Sequence, residues 1–261
     1  MHGSNGTNFP GMLRVARRVE GDAIRDLPAH VWGQLDSLHL EHCVRAGQTA
    51  AITCSSRGIA NYAAILGALV SFLETLGLEP FLVPAMGSHG GATAEGQAAV
   101  LANRGISEAA VGAPVRSSLD VAQLGMTVDG VPVFVDKLSL SADHIIVANR
   151  VQEHTEFENE AFESGLQKML AIGLGKEAGA FTYHRAMLSL GYARVIASVA
   201  EVVLTKAPIL FGLGIVEDEG GRTVKIRAAR APELVGIEAE LFALAKARAA
   251  RLPFDEADVT H

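Results

Sequence analysis

The sequence has few cysteines and no clustered basic residues. Its two cysteines, Cys43 and Cys54, are too few for a disulfide framework or for a thiolate cluster that binds zinc or iron–sulfur. Lys and Arg total 22 against 29 Asp and Glu, which gives a net charge of −7, and no basic run is longer than the pair Arg17-Arg18. A nucleic-acid partner is therefore not expected, because such binders neutralise phosphates with clustered cations.

Long apolar runs are missing as well. The longest uncharged apolar stretch, Ala63–Leu73, is well below the roughly 20 residues that span a bilayer. The segment Met1–Pro10 has no apolar core of the kind found in signal peptides. Together with the scarcity of cysteine, these features predict a cytoplasmic protein with no membrane partner.

The chain has 261 residues, of which 49% are hydrophobic, and this predicts a folded α/β protein. Residues 1–12 form a polar leader, after which short β-like runs alternate with helical ones. The first unit consists of a strand at Thr49–Cys54, a helix at Ala60–Leu76 and a strand at Glu79–Pro84. We expect a Rossmann-like parallel sheet with flanking helices.

The same reasoning predicts the elements that follow. They are a helix at Thr93–Asn103, a strand at His144–Ala148, an irregular stretch to about Ala161, helices at Glu163–Leu170 and Met187–Lys206, a hairpin of Ile209–Val216 and Thr223–Ala228 turned at Glu219–Gly221, and a helix at Pro232–Ala250. One domain is expected over residues 13–258. Residues 259–261 would begin a second domain, because the final segment has the pattern of an approach to another strand.

Two loops that follow predicted strands carry histidines. The loop Pro84-Ala-Met-Gly-Ser-His-Gly-Gly-Ala-Thr93 opens a helix, so its backbone N–H groups can hold a phosphate, although a plain tight turn explains it equally well. His154 follows the strand that ends near Ala148, where open parallel sheets place their ligands. His89 and His154 could therefore exchange protons with one substrate from two sides, or be solvated loop residues.

Three further residues are candidates for a site. Lys168 lies among apolar and glycine positions, as a reactive amine or a lysine that extends to solvent would. His184 precedes a predicted helix and could bind a metal or end that helix. Arg57 could bind a carboxylate with its planar guanidinium or form an ion pair at a helix start. Gly173-Leu-Gly-Lys176 is not a P-loop, because Glu177 stands where Ser or Thr is required.

Taken together, the motifs resemble the amino-terminal domain of the nickel-dependent lactate racemase family. The resemblance rests on their order and spacing, and it is strongest to the branch with a Gly-Ser-His-Gly-Gly loop. The motifs are Cys54-Ser-Ser-Arg-Gly-Ile-Ala-Asn61, the loop Pro84–Thr93, Asn149-Arg-Val-Gln-Glu-His154, Glu163-Ser-Gly-Leu-Gln-Lys168 and His184.

The resemblance implies a racemase or epimerase of 2-hydroxy acids. It implies transient hydride transfer from the substrate Cα to a nickel-pincer nucleotide, with a 2-keto acid in between. Separate maturation enzymes would make this cofactor. The implied roles are a covalent cofactor tether for Lys168, a nickel ligand for His184, acid/base catalysis for His89 and His154, substrate carboxylate binding for Arg57, and cofactor binding for Gly87, Ser88, Gly90 and Gly91.

The sequence also departs from the family pattern. Cys54, Ser55 and Ser56 fill the stretch where the family's racemases carry an aspartate, and Gln152-Glu153 replaces the expected approach to His154. A substrate other than lactate is therefore expected. The family's second domain supplies further substrate contacts, so the alternative is a truncated, non-catalytic domain that binds a cofactor or an anion. An ordinary NAD-linked dehydrogenase is disfavoured by the missing glycine fingerprint.

Overall fold

The computed structural model of the chain describes residues 23–154, 159 and 161–250, and seven strands lie in that part. They are β1 (Thr49–Cys54), β2 (Glu79–Pro84), β3 (Val121–Met126), β4 (Pro132–Asp136), β5 (His144–Arg150), β6 (Ile209–Glu217) and β7 (Thr223–Arg230). Five of them form one sheet in the order β2-β1-β5-β6-β7. The first four run parallel and β7 pairs antiparallel with β6, while β3 and β4 form a separate hairpin.

Helices cover both faces of the sheet. They are α1 (Leu27–Asp36), α2 (Tyr62–Thr75), α3 (Ala94–Asn103), α4 (Glu108–Val111), α5 (Lys137–Leu140), α6 (Leu166–Lys168), α7 (Leu174–Leu190), α8 (Tyr192–Lys206) and α9 (Leu234–Arg248). A single π-helical turn, Met169–Gly173, joins α6 to α7. The architecture is α/β with a mostly parallel central sheet, as the sequence predicts.

Strand β5 shows how the two faces form. Ile146 and Ala148 are buried in the apolar cluster that includes α1 and α2, whereas Ile145 and Val147 are buried in the cluster that includes α7, α8 and α9. Successive side chains of a strand point to opposite faces, so a run that is apolar at every position is buried between two helical layers.

Most of the predicted elements are confirmed. Strands β1 and β2 begin and end at the predicted residues, and the hairpin of β6 and β7 turns where predicted. Helix α3 begins directly after Thr93, whose hydroxyl caps it by accepting a hydrogen bond from the N–H of Gly96 at 3.0 Å.

The prediction of one helix over Met187–Lys206 is wrong. Helix α7 ends at Leu190 and α8 begins at Tyr192, because Gly191 adopts a left-handed φ of 81° and breaks the helix. The helix predicted at Glu163–Leu170 begins only at Leu166, since Ser164 instead pairs with Gln152 in a β-bridge.

Several predictions fall outside the described residues. The leader at 1–12, the chain end at 251–261 and residues 155–158 of the irregular stretch lie there, so the domain boundaries stay predictions. No helix in the described ranges is both long and apolar enough to cross a bilayer.

Candidate active site

The sheet order creates a crevice between β1 and β5. From β1 the chain proceeds to β2 on one side, whereas from β5 it proceeds to β6 on the other. This reversal is the topological switch point of an open parallel sheet, and ligands bind outside the carboxyl ends of the strands there. The segments after β1, β2 and β5 all reach this edge.

A cavity of about 410 Å³ lies at that edge. Six of the nine residues predicted to form the site line it: Arg57, Ser88, His89, His154, Lys168 and His184. They come from three strand ends and from the helical stretch of α6 and α7. The fold thus brings together Arg57 and His184, which are 184 − 57 = 127 positions apart in the sequence.

The three predicted glycines do not line the cavity but shape its loop. Gly87, Gly90 and Gly91 have φ angles of 61°, 66° and 67°, a region that glycine adopts at little cost. A Cβ at Gly90 would lie 2.7 Å from the backbone of Gly96 and Gln97, at the start of α3. The glycines thus let the loop turn tightly onto α3, and their binding of a cofactor stays a prediction.

Gly90→Ala should destabilise the protein much more than Gly91→Ala. Both variants force alanine into a left-handed conformation at about 1–2 kcal/mol. Only Gly90→Ala also drives a Cβ into backbone, because nothing lies within 4 Å of a Cβ at Gly91. Urea unfolding of both variants measures the difference, and equal losses of unfolding free energy would contradict the packing argument.

His89 is held by Ser56, to which the sequence analysis assigns no role. The Oγ of Ser56 lies 2.5 Å from Nδ1 of the imidazole. This hydrogen bond engages Nδ1 and leaves Nε2 as the ring nitrogen that can exchange a proton. Partial burial and the positive charges of Arg57 and Lys168 lower the pKa of His89, so the ring is neutral at neutral pH.

Removing the charge of Arg57 should raise the pKa of His89. A nearby cation disfavours the imidazolium, so Arg57→Gln relieves part of the repulsion that the structure imposes. An NMR titration of the imidazole measures the change. The control is Lys137→Gln, which removes an exposed cation near the amino end of β5, on the opposite edge of the sheet. An unchanged His89 pKa in Arg57→Gln would show that the guanidinium does not act on this ring.

The other residues of the Cys54–Ser56 stretch have structural roles. The thiol of Cys54 is fully buried, which raises its pKa well above the ordinary value and keeps it protonated. The hydroxyl of Ser55 accepts a hydrogen bond from the N–H of Arg57 at 3.2 Å and so shapes the turn after β1. This stretch therefore holds the Arg57 turn and the His89 ring without the aspartate of the family pattern.

His154 is positioned by Glu163 and Tyr192. Its backbone N–H donates to the carboxylate of the buried Glu163 at 2.6 Å. Its ring stacks on Tyr192 with 6.5 Å between ring centroids, and the Tyr192 hydroxyl donates to the carbonyl oxygen of Glu163. Sequence reasoning gave neither supporting residue a role, because their contact needs the end of β5 and the start of α8 to meet.

Lys168 and His184 lie on either side of an irregular helical segment. Lys168 ends α6 and is followed by the π-helical turn, a feature that is frequent at functional sites. The N–H of Gln167 donates to the carboxylate of the buried Glu238 at 3.0 Å, which anchors the turn that carries Lys168. His184 projects from α7 into the same cavity.

The described residues contain no group of three or more His, Cys, Asp or Glu side chains placed to hold a metal ion. Within that part of the chain, His184 belongs to no ready-made metal site of protein donors alone. The imidazole of His184, with the amine of Lys168 in the same cavity, fits a cofactor that brings its own metal donors.

These features define an α/β protein with a ligand cavity at the switch point of its sheet. The profile of the family described as "Lactate racemase N-terminal domain" matches residues 28–194, a range that contains every predicted site residue. The chain belongs to this family. A search of the curated proteins found no sequence match.

The fold is similar to a solved structure, that of the lactate racemase apoprotein from Thermoanaerobacterium thermosaccharolyticum. The TM-score is 0.62 at 14% sequence identity, over 85% of this chain and 57% of that protein. The chain thus spans little more than half the length of that protein. At this identity the likeness establishes the fold alone.

Proposed function

We propose that the chain is the cofactor-binding part of a racemase or epimerase of 2-hydroxy acids. The observation that carries the proposal is the single cavity lined by Arg57, His89, His154, Lys168 and His184. Family membership supports the same reaction class.

In this proposal one residue of the cavity binds the substrate and two transfer protons. Arg57 would bind the substrate carboxylate with its planar guanidinium. His89, neutral at neutral pH, would accept the hydroxyl proton at Nε2, and His154 would do so for the opposite enantiomer from another strand end. Two bases are needed because the two enantiomers present their hydroxyl groups differently.

The cofactor that we propose is a nickel-pincer nucleotide. When bound, it supplies the acceptor for the Cα hydride, which no side chain of the cavity can provide. Lys168 would hold it covalently and His184 would ligate the nickel through a neutral imidazole nitrogen. Ser88 and the backbone of Gly87, Gly90 and Gly91 would contact its phosphate.

The proposal extends to partners and location. Enzymes that make the cofactor would act on this chain, and its substrate would be a small hydroxy acid other than lactate. Cys43 and Cys54 are both free thiols, which supports a reducing, cytoplasmic setting. The net charge of −7 supports the absence of a nucleic-acid partner.

The test is interconversion of 2-hydroxy acid enantiomers by the cofactor-loaded chain, measured by chiral chromatography. We expect His89→Asn and His154→Asn to lower the rate by about 10²–10⁴, the usual contribution of a general acid or base. Cofactor loading should not change in either variant. His144→Asn is the matched control, because His144 bonds Gln48 at the opposite edge of the sheet.

A second candidate function is a non-catalytic domain that binds a cofactor or an anion. The cationic side chains of Arg57 and Lys168 in the cavity lining favour it, because they can hold an anion. A loaded chain that interconverts no hydroxy acid, but binds inorganic phosphate with loss of affinity in Arg57→Gln, would select this candidate.

A further inference from the structure

Lys176 is a buried lysine that the proposed reaction does not use. Its side chain is fully buried, and its backbone adopts a φ of 54° and a ψ of −155° inside α7. Burial of an ammonium group and a left-handed lysine are both unfavourable. Their combination in one residue requires compensating contacts.

The ammonium group of Lys176 is held between a strand end and a carboxylate. Nζ donates to the carbonyl oxygen of Pro84, the last residue of β2, and lies 3.7 Å from Oδ1 of the buried Asp136. The other oxygen of Asp136 accepts hydrogen bonds from the N–H and the hydroxyl of Ser139. Oδ1 has no hydrogen-bond partner among the described residues, so the ammonium group supplies its charge compensation.

The third neighbour of the ammonium group is Gln97, which contacts the histidine loop. Oε1 of this fully buried glutamine lies 3.5 Å from Nζ of Lys176. Its Nε2 donates to the carbonyl oxygens of Gly87 at 2.8 Å and of His89 at 3.2 Å. One side-chain amide therefore donates hydrogen bonds to the backbone on both sides of Ser88.

The ammonium group of Lys176 determines the orientation of the Gln97 side-chain amide. The opposite orientation of Gln97 would place NH₂ against an ammonium group and an oxygen against two carbonyl oxygens, so donors would face donors and acceptors would face acceptors. A lysine at position 176 thus orients the amide, and the oriented amide fixes the loop. Ser56 holds the ring of His89 while Gln97 holds its backbone.

We infer that Lys176 is a positioning residue for His89, acting through Gln97. Neither residue lines the cavity, so neither needs to touch the substrate. The inference rests on the proposed function only for the importance of His89. Its test uses the chain without cofactor or substrate, so it can fail while the proposed reaction stands, and the reverse.

The test is NMR of the imidazole nitrogens of His89 in ¹⁵N-labelled protein. In the wild type we expect one tautomer and a pKa below the ordinary histidine value. Gln97→Met removes both hydrogen bonds to the loop at similar side-chain volume. A loop released in this way buries the ring of His89 less. The pKa of His89 should therefore rise, because burial is the largest cause that lowers it, and the ring should show a mixture of tautomers.

A second variant tests the role of the lysine itself. Lys176→Met combined with Asp136→Asn removes the charge of both partners, so that no unpaired charge stays buried. We expect the same change at His89 as in Gln97→Met. Gln123→Met, at an exposed position of strand β3, is the matched control, and the signals of His144 at the far edge of the sheet should stay constant in every variant.

A folded double variant with an unchanged tautomer and pKa at His89 would overturn the inference. If the double variant does not fold, a pH titration of the wild-type protein tests the inference instead. The side-chain amide resonances of Gln97 should then shift at the pH where Lys176 titrates. Resonances of Gln97 that do not shift at that pH would also overturn the inference.

Discussion

Glu238→Gln should abolish a pH dependence of stability worth on the order of 3 kcal/mol. Burial raises the pKa of Glu238 from 4.5 to about 7 in the folded chain. The folded state therefore binds a proton more readily than the unfolded state between those values. The resulting stabilisation is complete below about pH 4.5 and is lost as the pH rises to about 7.

Glutamine at this position stays neutral throughout, and its oxygen can still accept a hydrogen bond from the N–H of Gln167. The unfolding free energy of the variant, taken relative to the wild type, should therefore increase from pH 4.5 to pH 8. Urea unfolding at several pH values measures it. The control is Glu240→Gln, an exposed carboxylate on the same helix. A difference between variant and wild type that does not change with pH would contradict the burial argument.

Lys168→Ala should eliminate covalent cofactor completely, and His184→Ala should eliminate nickel while leaving the adduct in place. The two residues lie on one cavity wall but would act on different parts of the cofactor. An amine is needed for the covalent bond, whereas an imidazole nitrogen is needed for the metal. Intact mass and metal content, measured after expression with the cofactor-making enzymes, separate the two roles.

Lys206→Ala is a suitable control for these variants, because Lys206 lies at the end of α8 and does not line the cavity. Its mass adduct and nickel content should match the wild type. Full nickel in His184→Ala would remove the ligand role from this residue, and an adduct that persists in Lys168→Ala would place the covalent bond elsewhere.

The fold could be predicted where local patterns decide it. Apolar runs such as Thr49–Cys54 and Glu79–Pro84 are strands because both faces are covered, and Gly-rich turns mark their ends. The boundary at Gly191 was missed because one glycine in a helical pattern either breaks the helix or is tolerated. The hairpin of β3 and β4 was not predicted either, because it lies apart from the main sheet and lacks a long apolar run.

The place of the candidate site could be predicted, because its residues follow strands or carry unusual chemistry for their surroundings, while their roles stay predictions. Arg57, His89 and His154 come after the strands that end at one edge of the sheet, and six predicted residues do share a cavity. The supporting residues could not be predicted. Ser56, Gln97 and Glu163 act through contacts between segments distant in sequence, which no local pattern reveals.

The most direct test of the account is the intact mass and nickel content of the wild-type chain expressed with the cofactor-making enzymes. The account predicts a mass increase of one modified mononucleotide, mapped by peptide analysis to Lys168, and close to one nickel per chain. An unmodified, nickel-free chain, under conditions that load a full-length racemase of the family, would contradict it.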